Sequence, residues 1–353
     1  MSFKVVTNDA PKGESTNNTS APDWDKINAE KAERESALIT LMETQEEPEV
    51  INGYVVGYID LGTQERNPYS EPYDENKKEH KEKLDSGSYL EDGVYVHELK
   101  KKVTCIMTPS KPAKAFTFAV DFPEYEQEWE FNGEITKKPY RMYMGGNFWM
   151  KNPESAEGKK MAVIQNPMYM SENTNNSAGT WALGANSLPS RMGVAAGLAN
   201  SDGLITKEDI TGILGKCFQF QVRVWNKPDK FDAKKTYFTE NIKFLGKLGK
   251  KQVPPEFDEN SIFGVNFNDI NDPAMLQQVR AICKNSMKLA TNWDTSVIKK
   301  EIEQAKLDWK ANKDAEEGGN KSHNTGTKLE TKPTTPSKKV SEPGIDFDDD
   351  IPF

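Results

Sequence analysis

The sequence predicts a mainly β protein with flanking helices, in which one small antiparallel β-barrel carries long insertions. Short segments rich in Val, Ile, Tyr and Phe recur along the chain, separated by Gly, Pro and Asn, which is typical of antiparallel sheets. The hydrophobic content of 35% and the mean hydropathy of -0.77 are low for 353 residues. These values indicate one main core with polar appendages.

The first strands are predicted in EVINGYVVGYIDLG (49–62), GVYVHELKKKVTCIMT (93–108) and AFTFAVDF (115–122). Between the first two, QERNPYSEPYDENKKEHKEKLDSG (64–87) is predicted to be a polar excursion. Later strands are predicted in QEWEFNG, PYRMYMGGNFWM, KKMAVIQ, TWALG and KTYFTENIKFLGKLGKK.

The segment CFQFQVRVW (217–225) has the cleanest two-residue alternation in the chain. We expect one face of this strand to line the core, and that face carries Phe218, Phe220, Val222 and Val224. The opposite, polar face carries Gln219, Gln221, Arg223 and Trp225.

Helices are predicted over residues 24–46, 206–215, 272–290 and 295–311. The second has Thr206 as N-cap with Asp209 as an imperfect capping-box partner, and the third has Pro273 in its first turn.

Composition divides the chain into five parts. We expect a disordered start with an acidic helical arm, a strand-rich core, C-terminal helices, a flexible Gly/Ser/Thr/Lys/Pro-rich linker and an acidic tip. Their bounds are 1–48, 49–260, 261–311, 312–343 and 344–353.

The net charge of -9 conceals a basic middle. Residues 100–252 hold 23 Lys and Arg against 15 Asp and Glu, a net of +8, whereas residues 1–99 hold 10 against 22, a net of -12. This asymmetry indicates a site for a polyanion.

Enzyme motifs of the phosphate-loop, zinc-protease and serine-hydrolase kinds are missing, so we expect no catalytic residue. Three cysteines and three histidines, all far apart, predict no metal site and no cofactor. The start of the sequence has no signal-peptide pattern and no apolar run is long enough to span a membrane. A cytoplasmic protein is expected.

Aromatic side chains are interleaved with Lys and Arg in the basic middle. Single-stranded nucleic acid requires this mixture, because its bases stack on aromatic rings while a basic groove neutralises its phosphates. The candidate binding residues are Tyr140, Arg141, Tyr143, Phe148, Trp149, Lys151, Trp181, Arg191, Arg223, Trp225, Lys227, Tyr237 and Lys243.

Many aromatics must instead fill the interior of a small barrel. We expect Phe218, Phe220 and Phe244 to be core, whereas Trp225, on a polar strand face, is expected to be a stacking platform. Gly145-Gly146 is either a hairpin turn or a flexible loop that presents Phe148 and Trp149.

The chain ends in GIDFDDDIPF, an amphipathic acidic peptide that follows the linker. Its apolar end suits insertion into a partner's pocket with a basic rim, which a purely solubilising tail would not need. The predicted partner-binding residues are Asp346, Phe347, Asp348, Asp349, Asp350, Ile351, Pro352 and Phe353.

This terminal DFDDDIPF resembles, letter for letter, the terminal peptide of bacterial single-stranded DNA-binding proteins. The resemblance covers the last eight to ten residues and implies an OB-fold core, a disordered linker and a tip that recruits replication, recombination and repair enzymes. The remainder resembles a divergent, phage-encoded layout, which would place the protein in the host-cell cytoplasm. The expected function is binding of single-stranded DNA by an OB-like barrel.

Two alternatives stay open. One is a recombination mediator or strand-annealing protein, and the other is a decoy that captures host enzymes through its tail without binding DNA. The sequence does not predict the oligomeric state.

Overall fold

The computed structural model describes residues 49–131, 134–153, 155, 159–229, 235–305 and 307. The predictions for segments 1–48, 308–311 and 312–343, and for the eight tip residues, lie outside these ranges. Of the helices that the structure describes, none is long and apolar enough to cross a bilayer.

The described chain is mainly β. Its strands are β1 (Glu49–Gln64), β2 (Tyr69–Pro72), β3 (Tyr89–Val96), β4 (Lys101–Thr108), β5 (Ala113–Phe131), β6 (Glu134–Tyr143), β7 (Asn147–Lys151), β8 (Lys160–Ile164), β9 (Met168–Tyr169), β10 (Glu172–Asn173), β11 (Ala182–Leu183), β12 (Cys217–Pro228), β13 (Thr236–Lys247) and β14 (Phe263–Val265). The helices are α1 (Lys78–Asp85), α2 (Leu188–Ala195), α3 (Pro273–Gln277), α4 (Ala281–Lys288) and α5 (297–305). Three 3-10 helices span Lys207–Ile213, Glu259–Ser261 and Trp293–Thr295.

The main sheet has the strand order β13-β12-β1-β5-β6, with all neighbours antiparallel. β1 is shared by two halves of the sheet. Its first residues pair with β12, from Glu49 opposite Val222 to Tyr54 opposite Cys217, and the remainder pairs with β5. β1 therefore joins a β5–β6 hairpin to a β12–β13 hairpin.

The two outer strands of this order, β6 and β13, approach each other through side chains. The Tyr140 hydroxyl on β6 donates to Glu240 Oε2 on β13 at 2.7 Å. Asn147, the first residue of β7, donates to the Phe238 carbonyl and accepts from the Glu240 amide, both at 3.1 Å. In the described part of the chain no backbone ladder joins β6 to β13.

Two hydrophobic clusters lie on opposite sides of the main sheet. The first is lined by inward residues of all five strands and is covered by α2 and the Lys207–Ile213 helix. The second contains the other face of β1 and β5, together with β14 and the C-terminal helices. Alternate residues of β1 serve each cluster, for example Val55 in the first and Val56 in the second, which explains the continuous apolar run of this strand.

The C-terminal segment packs on the sheet because β14 pairs in parallel with β1. The prediction of one helix over 272–290 is wrong, since α3 and α4 are separate. The buried Tyr143 hydroxyl donates to the Gln278 carbonyl and accepts from the Arg280 amide, both at 3.3 Å, where the helix is interrupted. The two backbone groups freed by the break thus have a partner.

The predicted polar excursion contains regular structure. Residues 69–108, here called the arm, form a three-stranded sheet of order β2-β4-β3 with α1 beside it. Ile106 and Cys105 are fully buried, and the His80 ring of α1 is nearly so. The arm lies between the end of β1 and the start of β5 in the sequence.

Candidate nucleic-acid interface

The alternation predicted for CFQFQVRVW is confirmed. Phe218, Phe220, Val222 and Val224 are at most 2% exposed in the first cluster, and Phe244 is buried beside them. The opposite side of β12 therefore faces away from this core.

This opposite side continues onto the two strands next to β12. The registers pair Arg223 with Asn241, Gln221 with Lys243 and Lys227 with Tyr237. The set is called the outer face, and its positions are Val50, Asn52, Gln219, Gln221, Arg223, Trp225, Lys227, Tyr237, Thr239, Asn241 and Lys243. None of these positions holds Asp or Glu, although carboxylates outnumber basic residues in the whole chain. Such a face does not repel phosphates at short range.

Arg223 and Trp225 are in cation–π contact on the outer face. The Arg223 side chain is exposed, and its Cζ lies 5.0 Å from the centre of the half-buried Trp225 ring. A guanidinium in this position is attracted by the indole π-system. The stack presents a planar cation beside a partly open aromatic ring.

The β7–β8 hairpin extends the outer face beyond β13. Trp149 Nε1 donates to the Phe238 carbonyl at 3.1 Å, and the Trp149 ring centre lies 4.8 Å from that of Tyr237. Asn147 bonds the backbone on either side of Thr239, so two side chains of β7 fix this hairpin to β13.

Sequence reasoning missed Lys160, which the structure places at this hairpin. Its Nζ lies 4.9 Å from the Tyr237 ring centre and pairs with the carboxylate of Asp229. The hydrogen bond that Lys160 donates to the Asp229 carboxylate raises the pKa of Lys160, so the ammonium stays charged at neutral pH. Lys160 lies opposite Lys151 in the β7–β8 pair, so a predicted hairpin between these two strands would have indicated it as a candidate.

The Gly145-Gly146 pair forms a turn between β6 and β7, but this turn closes no hairpin, because β7 pairs with β8 and β6 with β5 in the described part of the chain. Both residues have positive φ, 99° and 68°, and the Gly146 amide donates to the Tyr143 carbonyl. A Cβ on Gly145 would lie 2.4 Å from the Asn166 carbonyl oxygen, so only glycine fits here. Phe148 is 47% exposed and alternates with Trp149, so the two rings point to opposite faces of β7.

Three predicted residues lie away from the outer face. Tyr140 is buried in the first cluster and Tyr143 in the second, so neither ring can stack on a base in this conformation. The two residues lie on opposite faces of β6, and each face points into a core that large side chains fill. Arg141 forms a two-point pair with buried Asp121, through bonds of 2.6 and 2.8 Å, beneath the C-terminal helices.

Three more predicted residues lie at the periphery. Lys151 is exposed at the end of β7. Trp181, just before β11, is 67% exposed. Arg191 on α2 lies 5.8 Å from the Phe244 ring, on the side of β13 that faces the first cluster. The outer face thus unites Arg223, Trp225, Lys227, Tyr237 and Lys243 of the predicted set, and the adjoining β7–β8 hairpin adds Trp149 beside Tyr237.

Within the described residues, no group of three or more His, Cys, Asp and Glu side chains is placed to hold a metal ion. The chemistry of the outer face is that of cations, amides and aromatic rings. Groups of these kinds can bind a ligand by charge, hydrogen bonding and stacking.

No protein-family model, no curated protein and no solved structure matches this chain.

Proposed function

We propose that this protein binds single-stranded DNA, without strong sequence preference, on the outer face and the adjoining β7–β8 hairpin. The observation that carries the proposal is a strand face that combines Arg223, Lys227 and Lys243 with the rings of Trp225 and Tyr237 and has no carboxylate. Bound in this way, the DNA would be protected during replication, recombination and repair.

The cationic side chains and the aromatic rings of the outer face bind different parts of the DNA. The cations bind the phosphates of the DNA and displace the counterions condensed there. Because these counterions are released into solution, the affinity falls as the salt concentration rises. Bases of a single strand are free to lie on an indole or phenol ring, a contact worth about 1–3 kcal/mol per base. Bases in a duplex are already stacked on each other, so the same rings discriminate against double-stranded DNA.

We further propose that the main sheet is an OB-like barrel. Three features support this: β1 is shared between two hairpins, Tyr140 on β6 and Asn147 on the following strand β7 both bond to β13, and α2 with the following 3-10 helix lies between β6 and β12 in sequence. In such barrels a strand face binds nucleic acid, in keeping with the position of the outer face.

The C-terminal tip has a separate role in the proposal. Residues 346–353 recruit replication, recombination and repair enzymes, because an aromatic end group beside several carboxylates fits an apolar pocket with a basic rim. This part rests on the sequence of the tip and on its resemblance to the terminal peptide of bacterial single-stranded DNA-binding proteins.

The experiment is a tryptophan-fluorescence titration with poly-dT and with a duplex of equal length, each at two salt concentrations. We expect poly-dT to quench emission and duplex to do so weakly, with affinity for poly-dT falling at a log-log slope of about -0.7 per phosphate neutralised. Equal affinity for both DNAs at each salt concentration would contradict the proposal.

A charge-matched pair of variants locates the site. Arg223→Glu removes a cation from the outer face, whereas Lys300→Glu makes the same charge change on α5, next to the second cluster. We expect the first variant to lose most of its poly-dT affinity and the second to keep it. Partner capture through the tip with no DNA binding by the intact protein would instead support the decoy alternative.

A further inference from the structure

The tip of the β3–β4 hairpin carries exposed apolar side chains and belongs to the arm, whose sheet is separate from the main sheet. Tyr95 is 50% and Leu99 46% exposed, and three other large apolar residues of the arm exceed 40%. Large exposed apolar groups that are close together mark interaction sites more often than chance surface exposure does. These residues are absent from the proposed DNA site.

The tip has a defined shape. His97 and Lys100 close a turn through an amide-to-carbonyl bond of 3.2 Å, and Lys100 adopts a φ of 51°. The Tyr95 ring lies edge-on to the His97 ring, with centres 5.0 Å apart, and Tyr95 is directly opposite Lys102 across the hairpin. An aromatic pair and a lysine thus share one end of the arm.

Charge distinguishes the tip from the rest of the arm. Residues 94–102 contain three consecutive lysines, 100 to 102, against Glu98 alone. On α1, by contrast, Lys78 pairs with Glu82 at 3.2 Å and Lys83 pairs with Glu71, so that surface neutralises itself. The excess positive charge beside exposed aromatic rings is complementary to a single-stranded nucleic acid, whose phosphates are negative and whose bases can stack.

We propose that the hairpin tip, residues 94–102, is a second contact for the single-stranded nucleic acid, separate from the outer face. This inference rests on the proposed function. The outer face pairs with β1 at Val50 and Asn52, and the arm follows the other end of β1 at Gln64. Along β1, twelve residues separate these two points of attachment, a path of about 40 Å at 3.3 Å per residue if fully extended. A nucleic-acid strand that touches the tip as well as the outer face must be longer than one that touches the outer face alone.

The test uses the full chain and two oligo-dT lengths, one of about 8 nucleotides, which is within the span of one binding module, and one of about 30, which exceeds it. The variants are Tyr95→Ala and Lys100→Gly. Lys100→Gly removes a cation, and glycine adopts a positive φ without steric strain. This variant is therefore expected to keep the turn and the fold of the arm. Lys78→Ala on α1 is the matched control.

We expect each tip variant to bind the long oligonucleotide about tenfold more weakly and the short one with unchanged affinity. The control variant should bind both lengths as the wild-type protein does. Wild-type affinity of both variants for the long oligonucleotide, with the outer-face effects intact, overturns the tip contact alone. A change of oligomeric state in the variants without loss of DNA affinity also overturns it, since the tip would then bind another copy of the chain. If the wild-type protein binds neither length, the proposed function itself fails.

Discussion

The guanidinium carbon of Arg223 lies 5.0 Å from the centre of the Trp225 ring, on successive outward positions of β12. Each residue supplies what the other lacks, because one is a cation for phosphate and the other a plane for a base. The pair therefore allows electrostatic and stacking contributions to be separated by mutation.

Trp225→Ala is expected to weaken binding of single-stranded DNA by about 1–3 kcal/mol and to leave its salt dependence nearly unchanged. Arg223→Ala should reduce the slope of log affinity against log salt by somewhat less than one. Titrations at several salt concentrations measure both quantities. Trp225→Phe keeps an aromatic plane and serves as the control. If Trp225→Ala unfolds the protein, the indole is a core residue and the assignment of the face is wrong.

Asn147→Ala removes both bonds that this side chain makes to β13. The Phe238 carbonyl keeps its bond from Trp149, but the amide of the buried Glu240 is left without this acceptor. We expect the free energy of unfolding to fall by about 1–3 kcal/mol, and Trp149 to lose its fixed place beside Tyr237. Urea denaturation and tryptophan emission test this. The neighbouring exposed Asn241→Ala should change stability little, and equal stability losses in the two variants would argue against the bridge.

Deletion of residues 344–353 removes four aspartates and a terminal carboxylate and creates one new carboxylate, a net change of four charges. A tethered acidic peptide competes with phosphates for basic groups at an effective concentration set by its linker. We expect unchanged folding and tighter binding of single-stranded DNA, most clearly at low salt. Pull-downs should lose replication and repair enzymes both in this variant and in Phe353→Ala. If the truncated protein captures the same partners as the intact one, the tip does not recruit them and serves only to keep the protein in solution.

The three thiols are expected to be protected in the folded protein. Burial raises the pKa of Cys217 to about 11, and it also raises the pKa values of Cys105 and Cys283. Above about pH 8.5 the unfolded chain therefore releases thiol protons that the folded chain retains, so stability falls as pH rises from there toward 11. Urea titrations at several alkaline pH values measure the fall, and Cys217→Ser should make it shallower. Rapid labelling of all three thiols in the native protein at pH 8 would contradict this protection.

The strands of the main sheet were predictable where alternation is strict or apolar content is continuous. The alternation of β12 is predicted correctly, because its inward positions are all large and apolar and its outward ones from Gln219 to Arg223 are polar. The Thr206–Asp209 capping box also forms, although the helix that it starts is of the 3-10 type. In α2, Ser187 as N-cap with Pro189 after it was an overlooked start signal.

The rest depended on contacts between distant segments. Tyr140 and Tyr143 read like Trp225 in sequence, as aromatics near basic residues, and only the pairing of β6 with β5 turns their rings into the cores. The break between α3 and α4 depends on the Tyr143 hydroxyl, 135 residues away along the chain from Gln278. Lys160 joined the candidate site through Tyr237 and Asp229, both far from it in sequence.

The sharing of β1 between two hairpins has a consequence for biosynthesis. The first residues of β1 pair with β12, about 170 residues later, so this half of the sheet cannot form until the segment up to Lys247 has left the ribosome. Until then the β1 edge from Glu49 to Tyr54 has unpaired backbone groups, which favour association with other chains. A chain truncated before Cys217 should therefore aggregate during translation, and one that extends through β13 should be the shortest to escape it.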